Sequence, residues 1–591
     1  MKLLSVLLLL VSFDAAAQTP SADTTFTKLL VDEWEWGLEQ NPTRATAIGD
    51  ARYNDRMGDY SEEAIERRRQ HARDLVGRIK LIDRARLLPE NRLNYDLYLL
   101  EAEDNVEGQR FRSDRIQITQ RGGVYSQLAN LAISVPKANA KDYENFLKRL
   151  GETPRLVDQS IAQMRKGLAE GITPPRITLR DASELIANHI KDDPTQSPIY
   201  EQMFRSIPAS ISAAEQERLR ARTTEVIRDS VTPSLRRLRR FFVEEYYPKT
   251  RQTIGISSVP NGREWYAYLV RTYTTTAMTP DAIHDLGLSE VKRIRAEMEK
   301  LRGSAGFKGT LAEFFTFLRT DPQFYFTDRE ALLAAYRDIA KRIDPELPKI
   351  FGTLPRLPYG VVPIPTHSEK TQTTAYYNSG SVEGGRPGLF YANTYNLPAR
   401  PKWEMEALTL HEAVPGHHLQ ISIAQELGEL PQFRRFGGYT AFIEGWGLYA
   451  ESLGPELGFY KDPYSKFGQL TYEMWRAVRL VVDTGMHSKG WTRQQAIDYF
   501  KENAGKTEHD IVVEIDRYIN MPGQALAYKI GELKFKELRA HATRELSDRF
   551  DVRKFHDVVL GAGALPLSVL ETRVKDWVLA QKKLSPERAG G

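Results

Sequence analysis

Along most of the chain, apolar residues return every three or four positions. From about Phe26 to Glu346 this spacing predicts helix after helix. "SEEAIERRRQHARDLVGRIKLI" (Ser61 to Ile82) opens with a serine and two glutamates, the chemistry of a helix N-terminus. "DYENFLKRLGETPRLVDQSIAQMRKGLAEGI" reads as two helices divided at Thr153–Pro154. "TPDAIHDLGLSEVKRIRAEMEKLR" starts on a threonine cap with proline in the first helical position. The texture changes after Pro345. "LPRLPYGVVPIP" and "QTTAYYNSGSVEGGRPGLFYANTYNL" are rich in Tyr, Thr, Val, Gly and Pro and predict short strands joined by turns. Helical spacing resumes at "PKWEMEALTLHEAV" and runs to the C-terminus. The expected organisation is a mainly helical part over residues 18–345 and a part over 346–591 that carries a small sheet, the two forming one unit.

The ends and the composition narrow the class. "MKLLSVLLLLVSFDAAAQ" has a lysine, an apolar run and an Ala-x-Ala site. That is the layout of a secretory signal over residues 1–17, cut near Ala17 to leave a periplasmic or secreted protein. The apolar run is too short for a membrane span. The 591 residues carry no cysteine, so a lipid anchor on an N-terminal cysteine, disulfides and thiolate chemistry are all excluded. Any metal must be held by His, Asp and Glu. Net charge is +4, from 82 basic and 78 acidic residues, which argues against a nucleic-acid partner. The basic run "LRRLRRFF" (Leu235 to Phe242) is read as a solvated helix face.

The chemistry concentrates in "HEAVPGHHLQ", His411 to Gln420. On a zinc-peptidase helix, two histidines four residues apart lie about 40° apart and roughly 6 Å along the axis, so both reach one metal. Here the fourth position after His411 is Pro415, and histidines follow only at 417 and 418. On an unbroken helix His418 would face as His411 does, but about 10.5 Å away. Pro415 cannot donate to the carbonyl of His411, so a kinked or widened helix is expected directly after the first ligand. A bulge would bring in His417, whereas a nearly regular helix would bring in His418. A third ligand is expected at Glu444, a carboxylate set among Phe442, Ile443, Trp446 and Leu448 in "TAFIEGWGLYAESLG", with Glu451 in reserve.

"HEAVPGHHLQ", "FIEGWGLYAE", "RLVVDTGMHSKGW" and "YINMPGQALAYKIG" together resemble the bacterial family known as domain of unknown function 885. That family is distantly similar to helical zinc peptidases with glutamate as third ligand, the angiotensin-converting enzyme, oligopeptidase and thermostable carboxypeptidase families. The resemblance implies a mainly α, two-lobed shell around a deep channel, with a small antiparallel sheet beside the zinc helix. It implies zinc held by His411, one of His417 or His418, and Glu444, with Glu412 as general base in peptide hydrolysis. The departure from His-Glu-x-x-His bears on the second ligand. For the oxyanion, His487, Tyr518 and Tyr528 are the candidate donors. The strand "GLFYANTY" (Gly388 to Tyr395), with Phe390, Tyr391 and Asn393, is expected to align peptide substrate by strand addition. The rival readings are a periplasmic peptide- or metal-binding protein without catalysis, which would not need Glu412, and a metal-dependent hydrolase of another bond.

Overall fold

The computed structural model describes residues 21–366 and 368–583, so the signal-like segment and its cleavage site lie outside the described residues. The fold is mainly α, as the spacing predicts. The helix opening at Ser61 spans Glu62–Lys80, with the Ser61 side chain accepting from the N–H of Ala64. Thr279 caps Pro280–Ser304 in the same way. The expected division at Thr153–Pro154 falls between Ala140–Gly151 and Thr153–Glu170. No helix among the described residues is long and apolar enough to cross a membrane.

Two large hydrophobic cores give the two lobes. One gathers Leu128, Leu150, Leu156, Leu235 and Phe242 from the N-terminal portion. The other takes Ile294, Phe314 and Leu332 together with Phe390, Leu410, Trp446, Val478 and Phe535. Helices from Pro280 onward therefore share a core with the His-Glu segment. The change of texture at Pro345 marks a change of secondary structure and not of core. A smaller cluster around Trp265, Ile283, Leu480 and Ile530 bridges the lobes.

A two-stranded hairpin, β1 (Ile118–Thr119) and β2 (Gly122–Gly123), belongs to the N-terminal portion. The sheet that precedes the His-Glu segment has three strands: β3 (Tyr359–Pro363), β4 (Ala375–Asn378) and β5 (Gly388–Ala392), in the order β3-β5-β4. β4 pairs with β5 antiparallel, and β3 joins β5 in parallel. The helix Thr440–Ser452 crosses Ala527–Leu546 with no side chain between them. A Cβ on Gly445 would stand 2.5 Å from the Gly531 Cα, and one on Gly531 would stand 1.9 Å from the Ala441 carbonyl oxygen. Only glycine fits at either position.

Candidate metal centre

The His-Glu segment is cut in two. One helix, Met405–Glu412, carries His411 and Glu412; a second, His417–Glu426, begins on His417. The expected kink is thus a full break over residues 413–416, with a cis bond between Val414 and Pro415. Pro415 has no N–H for the helical ladder. Gly416 passes so close to the first helix that a Cβ there would lie 1.9 Å from the His411 carbonyl oxygen. The turn is held from outside: the Trp446 indole donates to the Pro415 carbonyl at 2.8 Å, and the His418 N–H to the Ala413 carbonyl at 3.0 Å.

This break brings together His411, His417 and Glu444, whose facing ligand atoms all lie within 4.8 Å of one another. Glu444 Oε2 stands 3.4 Å from His417 Nε2 and 3.9 Å from His411 Nε2. Ligands held about 2.0–2.2 Å from a tetrahedral zinc stand roughly 3.3–3.6 Å apart; the His417–Glu444 pair is at that spacing and the His411–Glu444 pair stands a few tenths of an ångström wider. The donor set of two imidazoles and one carboxylate fits as well. Burial holds His411 far below the usual histidine range, which keeps it in the neutral form that a ligand needs. His417 Nδ1 is buried without a protein partner.

His418 is not part of this group. Its Nε2 faces the Leu357 carbonyl at 2.9 Å and its Nδ1 the Tyr377 hydroxyl at 2.9 Å, so both ring nitrogens are committed to structure. Between the two candidates the geometry selects His417. Glu451, the reserve ligand, stands behind His411: its Oε1 is 2.8 Å from His411 Nδ1 and 3.3 Å from Arg476 Nη2. This carboxylate orients the ring and fixes the tautomer that leaves Nε2 free. The ring lies against the backbone of Gly447, where a Cβ would come within 2.8 Å of it.

Glu412 is buried beside the group. Burial and the Glu444 charge push its carboxyl up to about 7, against His417, Arg476 and the backbone N–H of Tyr377 in β4. A carboxylate poised there can both take and return a proton at neutral pH. Tyr528 closes another side. Its ring lies nearly parallel to that of His411 with centroids 6.3 Å apart, and its hydroxyl helps hold the Glu444 carboxyl down. Burial would raise Glu444, but the nearby His417 and the Tyr528 hydroxyl outweigh it and the carboxyl is lowered.

Several expected roles are corrected. His487 is fully buried, accepting from the Ile256 N–H at 3.0 Å and donating to the Tyr518 carbonyl at 3.0 Å, so it has no free nitrogen for a substrate. Tyr518 is fully buried too. Its hydroxyl donates to Glu514 at 2.6 Å and accepts from Trp475 and Arg479, which places it behind the site. β5 is the central strand with both edges paired, so no peptide can add to it. Phe390 packs in the core on Tyr336, Tyr391 stacks on Tyr376, and Asn393 donates to the carbonyls of Glu369, Gln372 and Thr373. The strand beside Glu412 is β4, an edge strand.

The sequence reading did not single out Arg476 and Arg479, which come from the buried helix Pro463–His487. Arg479 lies over the Tyr528 ring at 4.4 Å and pairs with Glu514 at 2.9 Å. Two arginines three residues apart in the otherwise apolar run Met474 to Val482 were the available signal. A cavity of about 1600 Å³ opens elsewhere, lined by Trp34, Trp36, Tyr98, Tyr268 and Phe433 and reaching Tyr439 and Thr440 at the start of the Glu444 helix. The triad does not line it.

The family model that matches is described as bacterial protein of unknown function (DUF885) and spans residues 42–574. The chain belongs to the DUF885 family. Two solved structures are similar to it. The one described as "the putative lipoprotein from Colwellia psychrerythraea" has a TM-score of 0.88 and 29% identity, covering 95% of this chain and 100% of that one. The one described as "a putative lipoprotein of unknown function from Shewanella oneidensis" has a TM-score of 0.67 and 16% identity over 94% and 99% of the two chains, a likeness of fold alone. No curated protein matches.

Proposed function

We propose that this DUF885 protein is an exported zinc-dependent peptidase. The observation that carries the reading is the convergence of His411, His417 and Glu444 at metal-ligand spacing, with Glu412 alongside. A divalent cation held by these three would supply Lewis acidity toward a carbonyl and toward water. Glu412 takes the proton of the attacking water and returns it to the leaving amine. Of the expected donors Tyr528 is the one beside the triad, and its hydroxyl would turn from Glu444 to the developing oxyanion, while Glu451 keeps the His411 ring in its working tautomer. β4 offers an edge for an extended peptide next to Glu412. The signal-like N-terminus, and relatives described as lipoproteins, support a secreted or envelope-associated address.

The test is metal analysis of the purified protein, with hydrolysis of a mixed peptide library before and after chelation. One zinc per chain and turnover lost with chelator and restored by zinc are expected. Zinc bound without turnover of any peptide would favour the binding-protein reading.

A further inference from the structure

The cavity of about 1600 Å³ is walled by faces of several helices and lies apart from the triad. Tyr98, Glu101, Asn105 and Gly108 of Pro89–Gly108 recur three or four residues apart and form one such face. Trp265, Tyr268 and Thr272 of Gly262–Thr274 form another, and Leu30, Trp34 and Gly37 of Ala22–Gln40 a third. Pockets for drug-sized ligands run about 300–1,000 Å³, so this one has room for a chain-like ligand.

Four acids line the cavity, and three of them are ion-paired. Glu33 pairs with His71 at 2.7 Å and with Arg78, Asp104 with Arg271 at 3.2 Å, and Asp114 with Arg69 at 2.9 Å. Glu101 is the fourth. Its Oε1 accepts from the Tyr439 hydroxyl at 2.9 Å, its Oε2 has no partner, and no cationic side chain is within ion-pair distance among the described residues. The other arginines on these walls are engaged: Arg251 with the carbonyls of Thr173, Thr253 and Gly255, Arg68 with that of Asp59, and Arg44 over the Trp34 ring at 5.2 Å. Arg434, near Glu101, bonds Asn94 and the Ala562 carbonyl. Burial without a counter-ion pushes the Glu101 carboxyl up to about 7, against the Tyr439 hydroxyl and the more distant Arg434 and Arg44.

Ring faces stand beside this carboxylate. Tyr98, one turn before Glu101, meets Phe433 with centroids 4.9 Å apart and planes 57° apart, so the two rings form a corner on the cavity wall. Aromatic faces attract cations, as Arg44 over Trp34 already shows here. A corner of rings next to an acid that lacks a counter-ion is the recognition set for a positive group on an organic ligand.

We propose that this cavity binds an organic cation, an ammonium or guanidinium group seated between Glu101 and the rings of Tyr98 and Phe433. Its source is a basic peptide or a free polyamine, since both carry the group on a chain that the volume accommodates. The site does not depend on the peptidase reading, and its test reads binding alone. Calorimetry at about pH 8, where Glu101 is ionised, uses the Glu412→Gln chain so that peptides stay intact. The probes are acetylated, amidated tripeptides alike except for a central lysine or norleucine, and spermidine. An ion pair with the carboxylate predicts the lysine peptide bound about tenfold or more tightly than the norleucine peptide. Adding Glu101→Gln should level the two by loss of lysine affinity, and Glu101→Asp, which keeps the charge, should restore part of the preference. Spermidine bound more tightly than the lysine peptide, and as sensitive to Glu101→Gln, assigns the site to a free polyamine; the reverse order assigns it to a peptide. No lysine preference with spermidine unbound overturns the site, and so does a preference that survives Glu101→Gln. Should Glu101→Gln fail to fold, Tyr98→Leu carries the test. Lysine affinity should then fall about two- to fivefold more than norleucine affinity, and an equal fall overturns the site.

Discussion

A carboxylate oxygen of Glu451 lies 2.8 Å from Nδ1 of His411, forty residues earlier in the chain. The pair turns His411 Nε2 toward His417 and Glu444. Glu451→Gln keeps a hydrogen-bond acceptor and loses the carboxyl that orients the ring, so zinc affinity should fall about 10- to 100-fold, the usual effect of altering a ligand's supporting carboxylate. Competition against a chromophoric chelator checks it; unchanged affinity would assign Glu451 to packing alone.

His417 and His418 should separate cleanly. His417→Ala removes stoichiometric zinc with little loss of fold. His418→Ala retains one zinc per chain but leaves the Leu357 carbonyl and the Tyr377 hydroxyl without their partner, at about 1–3 kcal/mol of stability. Metal content and urea unfolding measured on both variants decide the matter.

Glu412→Gln preserves size and hydrogen bonding and removes basicity. Turnover should drop by about 10²–10⁴ with zinc retained, the effect expected of a lost proton-transfer group. Full turnover with zinc bound would rule Glu412 out as the base.

The buried His487 makes the fold acid-sensitive. Burial pulls its pKa down to about 4, against an ordinary value of about 6.5. Between those values the unfolded chain takes up a proton that the native state refuses. The stability is therefore full above about pH 6.5 and declines toward pH 4, by up to roughly 3 kcal/mol from this residue. Denaturant unfolding at pH 7 and pH 4.5 should show the fall. His487→Gln should be less stable at pH 7 and lose less on acidification.

How much of this was legible follows from what each residue depends on. Helices were readable because spacing and caps are local, as at Ser61 and Thr279. His411 and Glu444 were readable because a histidine and a carboxylate in apolar company must have a partner. The choice of His417 turned on how far Pro415 and Gly416 open the chain, and only packing against Trp446 and the His411 carbonyl fixes that. The role given to β5 failed because strand order is a tertiary property: the same apolar run reads alike at an edge or in the centre. His487 misled for a related reason, since its two partners lie at Ile256 and Tyr518 and leave no trace in the local sequence.

The glycine crossing of Thr440–Ser452 over Ala527–Leu546 has a mechanical consequence. Backbone rests on backbone at Gly445 and Gly531, one residue beyond Glu444 and three beyond Tyr528. Two helices wedged at that point can neither slide nor separate without breaking the contact, so the carboxylate and the phenol travel as one rigid body. Any opening or closing of the site around a bound chain must then carry Glu444 and Tyr528 together, as two teeth cut on one gear.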